Sequence, residues 1–229
     1  FPLPDEVAQF LAPVGGVTAS GNAGFGIQSQ TLSSGMLALG AFFDITANNN
    51  GANGVNAIVQ SGNGVAIGLA GSTANWAEIA QLGDQVAELA LGQPLPIALA
   101  GGGQMQANGN GGPGFMLQTI GLNAAANAVV GLETLGNGGP GAVSFASADD
   151  LALNAVARLV STDNGGAGLL MDTYGRNLGA IGVLADVNAS RNGDSGITAS
   201  VDSPDGFAAL LTLSTDALRP AAALLGEEF

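Results

Sequence analysis

The sequence predicts an all-β fold, a β-solenoid in which each coil is one repeat of the chain. Three observations predict it. The phrase NGGPG occurs at Asn110 and at Asn137 and returns as NGGAG at Asn164 and NGDSG at Asn192, in steps of 27, 27 and 28 residues. Alternate positions after each phrase are small or apolar, as on one face of a short strand. Glycine supplies 38 of 229 residues without the every-third period of collagen, so the chain is rich in turns.

The first element to justify is the mark itself. Asn22 and Asn50 begin phrases of the same outline, 28 apart, so six asparagines stand in register: Asn22, Asn50, Asn110, Asn137, Asn164 and Asn192. From Asn50 to Asn110 there are 60 residues, about two periods, and the mark is lost there. Asn and Gly tolerate the left-handed backbone of a tight turn, which explains why they recur. Stacked Asn amides are also expected to bond to one another along the axis, as in cross-β stacks. These six are the candidate site residues, a structural turn ladder.

The strands follow. Five residues after the marks come Ile27, Val55, Phe115, Ala142, Leu169 and Ile197, and two further on Ser29, Ala57, Leu117, Ser144, Met171 and Ala199. A second apolar stretch ends each repeat, as in VAIGLAG, NAVVGLET and FAALLTLST. Each repeat is expected to hold two or three strands that stack on their equivalents, giving about six to seven coils with a period of 27–28.

The chain reads as one domain over 1–229. Its expected parts are an N-terminal cap over 1–16, coils over 17–72, an insertion or irregular coil over 73–103, coils over 104–216 and a C-terminal cap over 217–229. Val7, Phe10 and Leu11 lie on one side of a short helix in the first cap. A helix is expected over 75–91, where Asn75 and Glu78 form a capping box and Ile79, Leu82, Val86 and Leu89 fall at helical spacing. Trp76, the only Trp, is expected to pack this insertion onto the solenoid.

The run STDNGGAGLLMDT and its neighbours resemble coils of the right-handed parallel β-helix proteins, the pectin-lyase-like superfamily, over about Val17 to Asp216. The resemblance implies right-handed winding. It implies little about activity, because the superfamily holds lyases, hydrolases, tailspikes, adhesins and surface-layer components.

Composition narrows the functions. Net charge is −14, Arg158, Arg176, Arg191 and Arg219 are the only basic side chains, and nothing before Arg158 is basic. Such a chain neutralises neither phosphates nor anionic lipid, so nucleic acid is not an expected partner. No apolar run is long enough for a membrane-spanning helix. The chain has neither Cys nor His, which removes disulfides, thiolate sites and imidazole chemistry. It starts at Phe1 without an initiating Met, and an extracellular or cell-surface location is expected.

The carboxylates that an enzyme of this superfamily would use are Asp149, Asp150, Asp163, Asp172, Asp186, Asp194, Asp202 and Asp205, with Arg158, Arg176 and Arg191 near in sequence. The hydrolases add His and Arg-x-Lys motifs, which this chain lacks. A lyase needs Arg with Ca²⁺, toward which Asp172 and Arg176 supply a part. Thr18 and Thr46 begin a row four residues before their marks, but Gln106, Glu133 and Val160 break it, so no regular ice-matching array is expected. The function expected is a non-catalytic extracellular structural protein, a self-assembling subunit of a surface layer, sheath or filament. It is expected to need no cofactor or metal and to meet copies of itself or other surface proteins. The alternatives are a glycan-binding adhesin and, ranked below it, a polysaccharide lyase or hydrolase.

Overall fold

The computed structural model describes residues 16–75 and 104–213. The first coil holds β1 (Val17–Thr18), β2 (Ile27–Ser33) and β3 (Leu37–Phe43), and the second β4 (Ile45–Thr46), β5 (Val55–Ser61) and β6 (Val65–Gly71). Next come β7 (Met105–Gln106), β8 (Phe115–Gly121) and β9 (Ala124–Val130), then β10 (Leu132–Leu135), β11 (Ala142–Ala148) and β12 (Leu151–Ala157). The last two coils are β13 (Val160–Thr162), β14 (Leu169–Gly175) and β15 (Gly179–Ala185), and β16 (Asn188–Ser190), β17 (Ile197–Asp202) and β18 (Phe207–Leu213). Equivalent strands stack into three parallel six-stranded sheets headed by β1, β2 and β3. The fold is the parallel β-solenoid that the repeat implied.

There are six described coils, within the expected six to seven. β5 pairs directly with β8, Val55 beside Phe115, and β6 with β9, Val65 beside Ala124. No coil lies between them. The 60-residue interval is one coil plus a segment that leaves after Gly71, at a corner where stacking does not require the chain to continue. Ser72 still donates its N–H to Val130 O at 3.0 Å, and the next residues form a single 3-10 turn, Thr73–Asn75. The helix expected over 75–91, Trp76 and both expected caps lie otherwise outside the described residues.

The step of 27 or 28 is set at one corner. Between the second and third sheets the chain uses three residues in coils 1, 2 and 5, as at 34–36, two in coils 3 and 4, at 122–123 and 149–150, and four in coil 6, at 203–206, where the strand before the corner is one residue shorter. Strand pairing is unaffected, because each second-sheet strand still opens at the same distance after its mark and each third-sheet strand shifts as a whole, so that Val65, Ala124 and Leu151 remain partners.

The interior is a column-by-column fit of large beside small. Phe115, fully buried, lies between Val55 and Ala142, and Met171 between Ser144 and Ala199. Such alternation fills a narrow interior to normal density. One polar layer crosses it. Asn154 accepts from Ser144 Oγ at 2.6 Å and donates to Ser144 O and Asp172 O, while Asn127 bonds Thr119 and donates to Phe145 O at 2.8 Å. These bonds tie the third sheet to the second across the core and fix their relative register.

The two outer faces differ. The second sheet alternates buried and partly exposed residues, the pattern of a sheet with one wet face. The third sheet carries only apolar residues or glycine at its outward positions, such as Leu39, Ile67, Ala126, Leu153 and Ile181. Ile67 is 0% exposed and Ala126 2%, so this sheet is buried on both faces at its centre.

Candidate functional site

The corner between the first and second sheets holds the repeated phrase, and its chemistry is built residue by residue. Each ladder Asn donates Nδ2–H to the Oδ1 of the Asn one coil on: Asn22 to Asn50 at 2.8 Å, Asn50 to Asn110 at 2.9 Å, Asn110 to Asn137 at 2.9 Å, Asn137 to Asn164 at 2.8 Å and Asn164 to Asn192 at 2.9 Å. The same Oδ1 also accepts the backbone N–H of the preceding coil's Asn, at 2.9–3.1 Å. The second Nδ2 proton goes inward, from Asn110 to Ala47 O and from Asn137 to Ala107 O, both at 2.9 Å. Each inner amide therefore makes four bonds, which suits a side chain only 2% exposed at Asn50, Asn110, Asn137 and Asn164. All five links run the same way, so the ladder has a donor end and an acceptor end.

The left-handed backbone does not sit on these asparagines, and here the sequence reading needs correction. Positive φ falls one residue earlier, at Gly21 (74°), Asn49 (57°), Gly109 (65°), Gly136 (64°), Asp163 (55°) and Arg191 (53°). The ladder Asn is chosen for its bonds rather than for its backbone. A second left-handed site follows the third sheet, at Asp44, Gly131, Arg158 and Asp186.

The glycines of the phrase answer to contact between coils. A Cβ on the residue after the Asn would lie 2.1–2.5 Å from a carbonyl oxygen of the preceding coil, at Gly51, Gly111, Gly138, Gly165 and Gly193. In the first described coil this residue is Ala23. Four residues after the Asn, a Cβ on Gly26, Gly54, Gly114, Gly141 or Gly168 would lie 2.5–2.8 Å from the ladder amide of the following coil. The phrase N-G-x-x-G thus records three contacts: one side-chain ladder and two close approaches to neighbouring coils.

The carboxylates are spread over several corners. Asp163 and Arg191 are exposed and paired through two bonds, 2.7 and 2.8 Å, between consecutive coils. The hydrogen bond from Arg191, and then its charge, hold the Asp163 carboxyl below its ordinary value. Asp149 lies 3.4 Å from Arg176, and Asp150 accepts from Asn177 at 3.0 Å, at the corner between the second and third sheets. Arg176 is held in its charged form first by a hydrogen bond with Tyr174 and then by Asp149. Asp172 and Tyr174 face outward on β14, beside Phe145, Ser147, Ser200 and Asp202 of the adjacent strands. Asp186 stands at a left-handed corner away from this patch. Among the described residues no three metal-ligating side chains converge. Thr18, Thr46, Gln106, Glu133, Val160 and Asn188 form one mixed outward row on the first sheet.

Compared with known proteins, the chain matches no family model, no curated protein and no solved structure. The positions that sequence reasoning missed are the left-handed residue before each Asn and the contact roles of the glycines. A signal for the first existed, since three of its six occupants are glycine and two are Asn or Asp.

Proposed function

We propose that the chain is a non-catalytic structural β-solenoid, a subunit of an extracellular or cell-surface layer, sheath or filament built with copies of itself or other surface proteins. One observation carries the reading: the residues that recur most faithfully, the six ladder asparagines and the glycines after them, are spent on contacts between coils. The structure invests its repeat in a rod. Low basic charge and the apolar composition fit a packing element of such an assembly. Kinship with the right-handed pectin-lyase-like solenoids belongs to this reading. It is supported by the three-sheet coil and by the steric preference of parallel crossovers for right-handed winding.

The test is immuno-electron microscopy of the native surface. The expected result is label on a continuous layer or filament; label on scattered single molecules would refute it. A second reading, glycan adhesion, is favoured by the outward patch of Phe145, Asp172, Tyr174 and Arg176, which sets aromatic faces beside hydrogen-bonding groups. Loss of binding to one glycan on Tyr174→Ala, with stability unchanged, would establish it. Catalysis is ranked below both, because the chain has no His, Cys or Lys to serve as base or nucleophile and pairs its Arg176 with Asp149 in an exposed bridge.

A further inference from the structure

We infer that residues 76–103 of this chain pack over the outer apolar face of the third sheet, which makes that face an internal interface and not one on which copies of the chain meet. The inference goes beyond the structural reading above and does not depend on it.

The face is covered, and the second sheet supplies the measure of an uncovered one. Ile58 and Ile120 stand outward there on strands flanked on both sides, and both stay partly exposed. Ile67 stands outward on the third sheet between Leu39 and Ala126, yet it is 0% exposed, and Leu69 is 1% exposed. Ala126 is smaller than the Gln118 beside Ile58, so the neighbours of Ile67 within the sheet do not seal it. Among the described residues, Val65, Ile67, Leu69, Ala124 and Ala128 cluster only with other outward residues of the same sheet, such as Leu37, Leu39 and Leu151. A second layer is therefore required, as parallel sheets generally have on both faces.

The place where burial is deepest identifies that layer. The outward residues of β6 and β9 are all buried, whereas Leu37 and Leu39 in the first coil are partly exposed and Phe207 in the last is 41% exposed. Residues 1–15 and 214–229 join the stack at those two outer coils. The segment 76–103 joins it between β6 and β7, at the most buried coils. Its exit is pinned at the corner of this sheet, because Asp44 accepts from Thr73 N–H at 2.8 Å and from Thr73 Oγ1 at 2.5 Å. The first sheet, the other face at that corner, offers the polar and partly exposed Thr46, Gln106 and Glu133 instead. In sequence the segment carries Ile79, Leu82, Val86 and Leu89 to set against the sheet, and Glu78, Asp84 and Glu88 to leave in water.

The experiment uses the full chain with photo-leucine, a diazirine of nearly the same size, in place of Leu69, and in place of the outward Leu170 of the second sheet as control. After irradiation the Leu69 probe is expected to be joined to a peptide of residues 76–103 of the same molecule, and the Leu170 probe to capture mainly water. Crosslinks from Leu69 to 1–15 or 214–229, crosslinks between molecules, or water capture equal to that at Leu170 would overturn the inference. A second readout uses the absence of native Cys. A polar maleimide is expected to label Ala126→Cys about 100-fold more slowly than Ser147→Cys, since labelling must await local opening. Adding Leu82→Asp and Val86→Asp, with circular dichroism unchanged, is expected to bring the two rates together, and an unchanged gap counts against the inference. Where that double substitution unfolds the chain, the Leu69 crosslink decides.

Discussion

Replacing Asn137 with Ala should cost about 4 kcal/mol, which is a large part of the stability of an ordinary domain. The figure comes from the bonds. Asn137 Oδ1 accepts from the N–H and the Nδ2 of Asn110, both at 2.9 Å, and its Nδ2 donates to Asn164 Oδ1 at 2.8 Å and to Ala107 O at 2.9 Å. Four bonds vanish at a site 2% exposed, and two Asn110 donors and one carbonyl are stranded away from water. At about 1 kcal/mol net per bond the loss sums to the stated value. Asn22→Ala is the internal comparison: its side chain is exposed and donates one ladder bond, to an Oδ1 that still accepts the Asn22 backbone N–H, so about 1 kcal/mol or less is expected. Urea unfolding with both variants measures the difference, with the slope checked because a solenoid can lose coils separately. Equal losses at the two positions, or an Asn137→Ala loss below about 1 kcal/mol, would refute the ladder as a source of stability.

Gly111→Ala should cost at least about 2 kcal/mol, since the new methyl meets Gly51 O at 2.3 Å; unchanged thermal stability would show that the corner yields freely. Thr173→Val should stabilise by about 1 kcal/mol, because Thr173 Oγ1 is buried without a hydrogen-bond partner among the described residues, and a lower urea midpoint would reveal a hidden partner. The Asp163 carboxyl should titrate below its ordinary value in wild type and return to it in Arg191→Gln, as read by carbon NMR. Its folded pKa is depressed, so the pair's contribution is present above the unfolded value and disappears as pH falls through the folded one. Pure protein should release no unsaturated or reducing sugar ends from polysaccharides; their appearance would restore the enzyme reading.

The period and the alternating strand were legible because each recurs six times and has one physical cause. Ile27, Val55, Phe115, Ala142, Leu169 and Ile197 each open a strand of the second sheet, at the offset that the marks announced. The third sheet was harder to read. Its strands, such as AAANAVV and VAIGLAG, do not alternate, because inward and outward side chains are both buried and nothing distinguishes the two faces in sequence. The left-handed corner escaped notice for a different reason. Its position accepts Gly, Asn, Asp and even Arg, so no single letter marks it, whereas the Asn beside it never varies and drew the explanation to itself. The 60-residue gap was legible only as an insertion or irregular coil over 73–103, and it takes the pairing of Val55 with Phe115 to show that no coil stands between the second and the third.

The alternation between steps of 27 and 28 yields a last prediction about which corners set the fold. One extra Gly between Leu122 and Asn123 gives the third coil the three-residue corner that the second already has at 62–64. Both flanking strands can keep their partners, and only bonds at an exposed corner are disturbed, such as Asn123 N–H to Gly64 O at 3.0 Å. The expected loss is about 1 kcal/mol or less. The same Gly inserted between Gly138 and Gly139 falls in the stacked turn. Either β11 slips by one residue, which turns Ser144 and Ala146 outward and Phe145 inward, or the turn bulges and Asn137 leaves the ladder. Each route forfeits several buried bonds or a matched core face, so a loss of about 4 kcal/mol or more is expected. Matching urea midpoints for the two insertions would mean that the Asn–Gly corner is no more constrained than its neighbour, and that the ladder follows from the stacking of strands rather than helping to specify it.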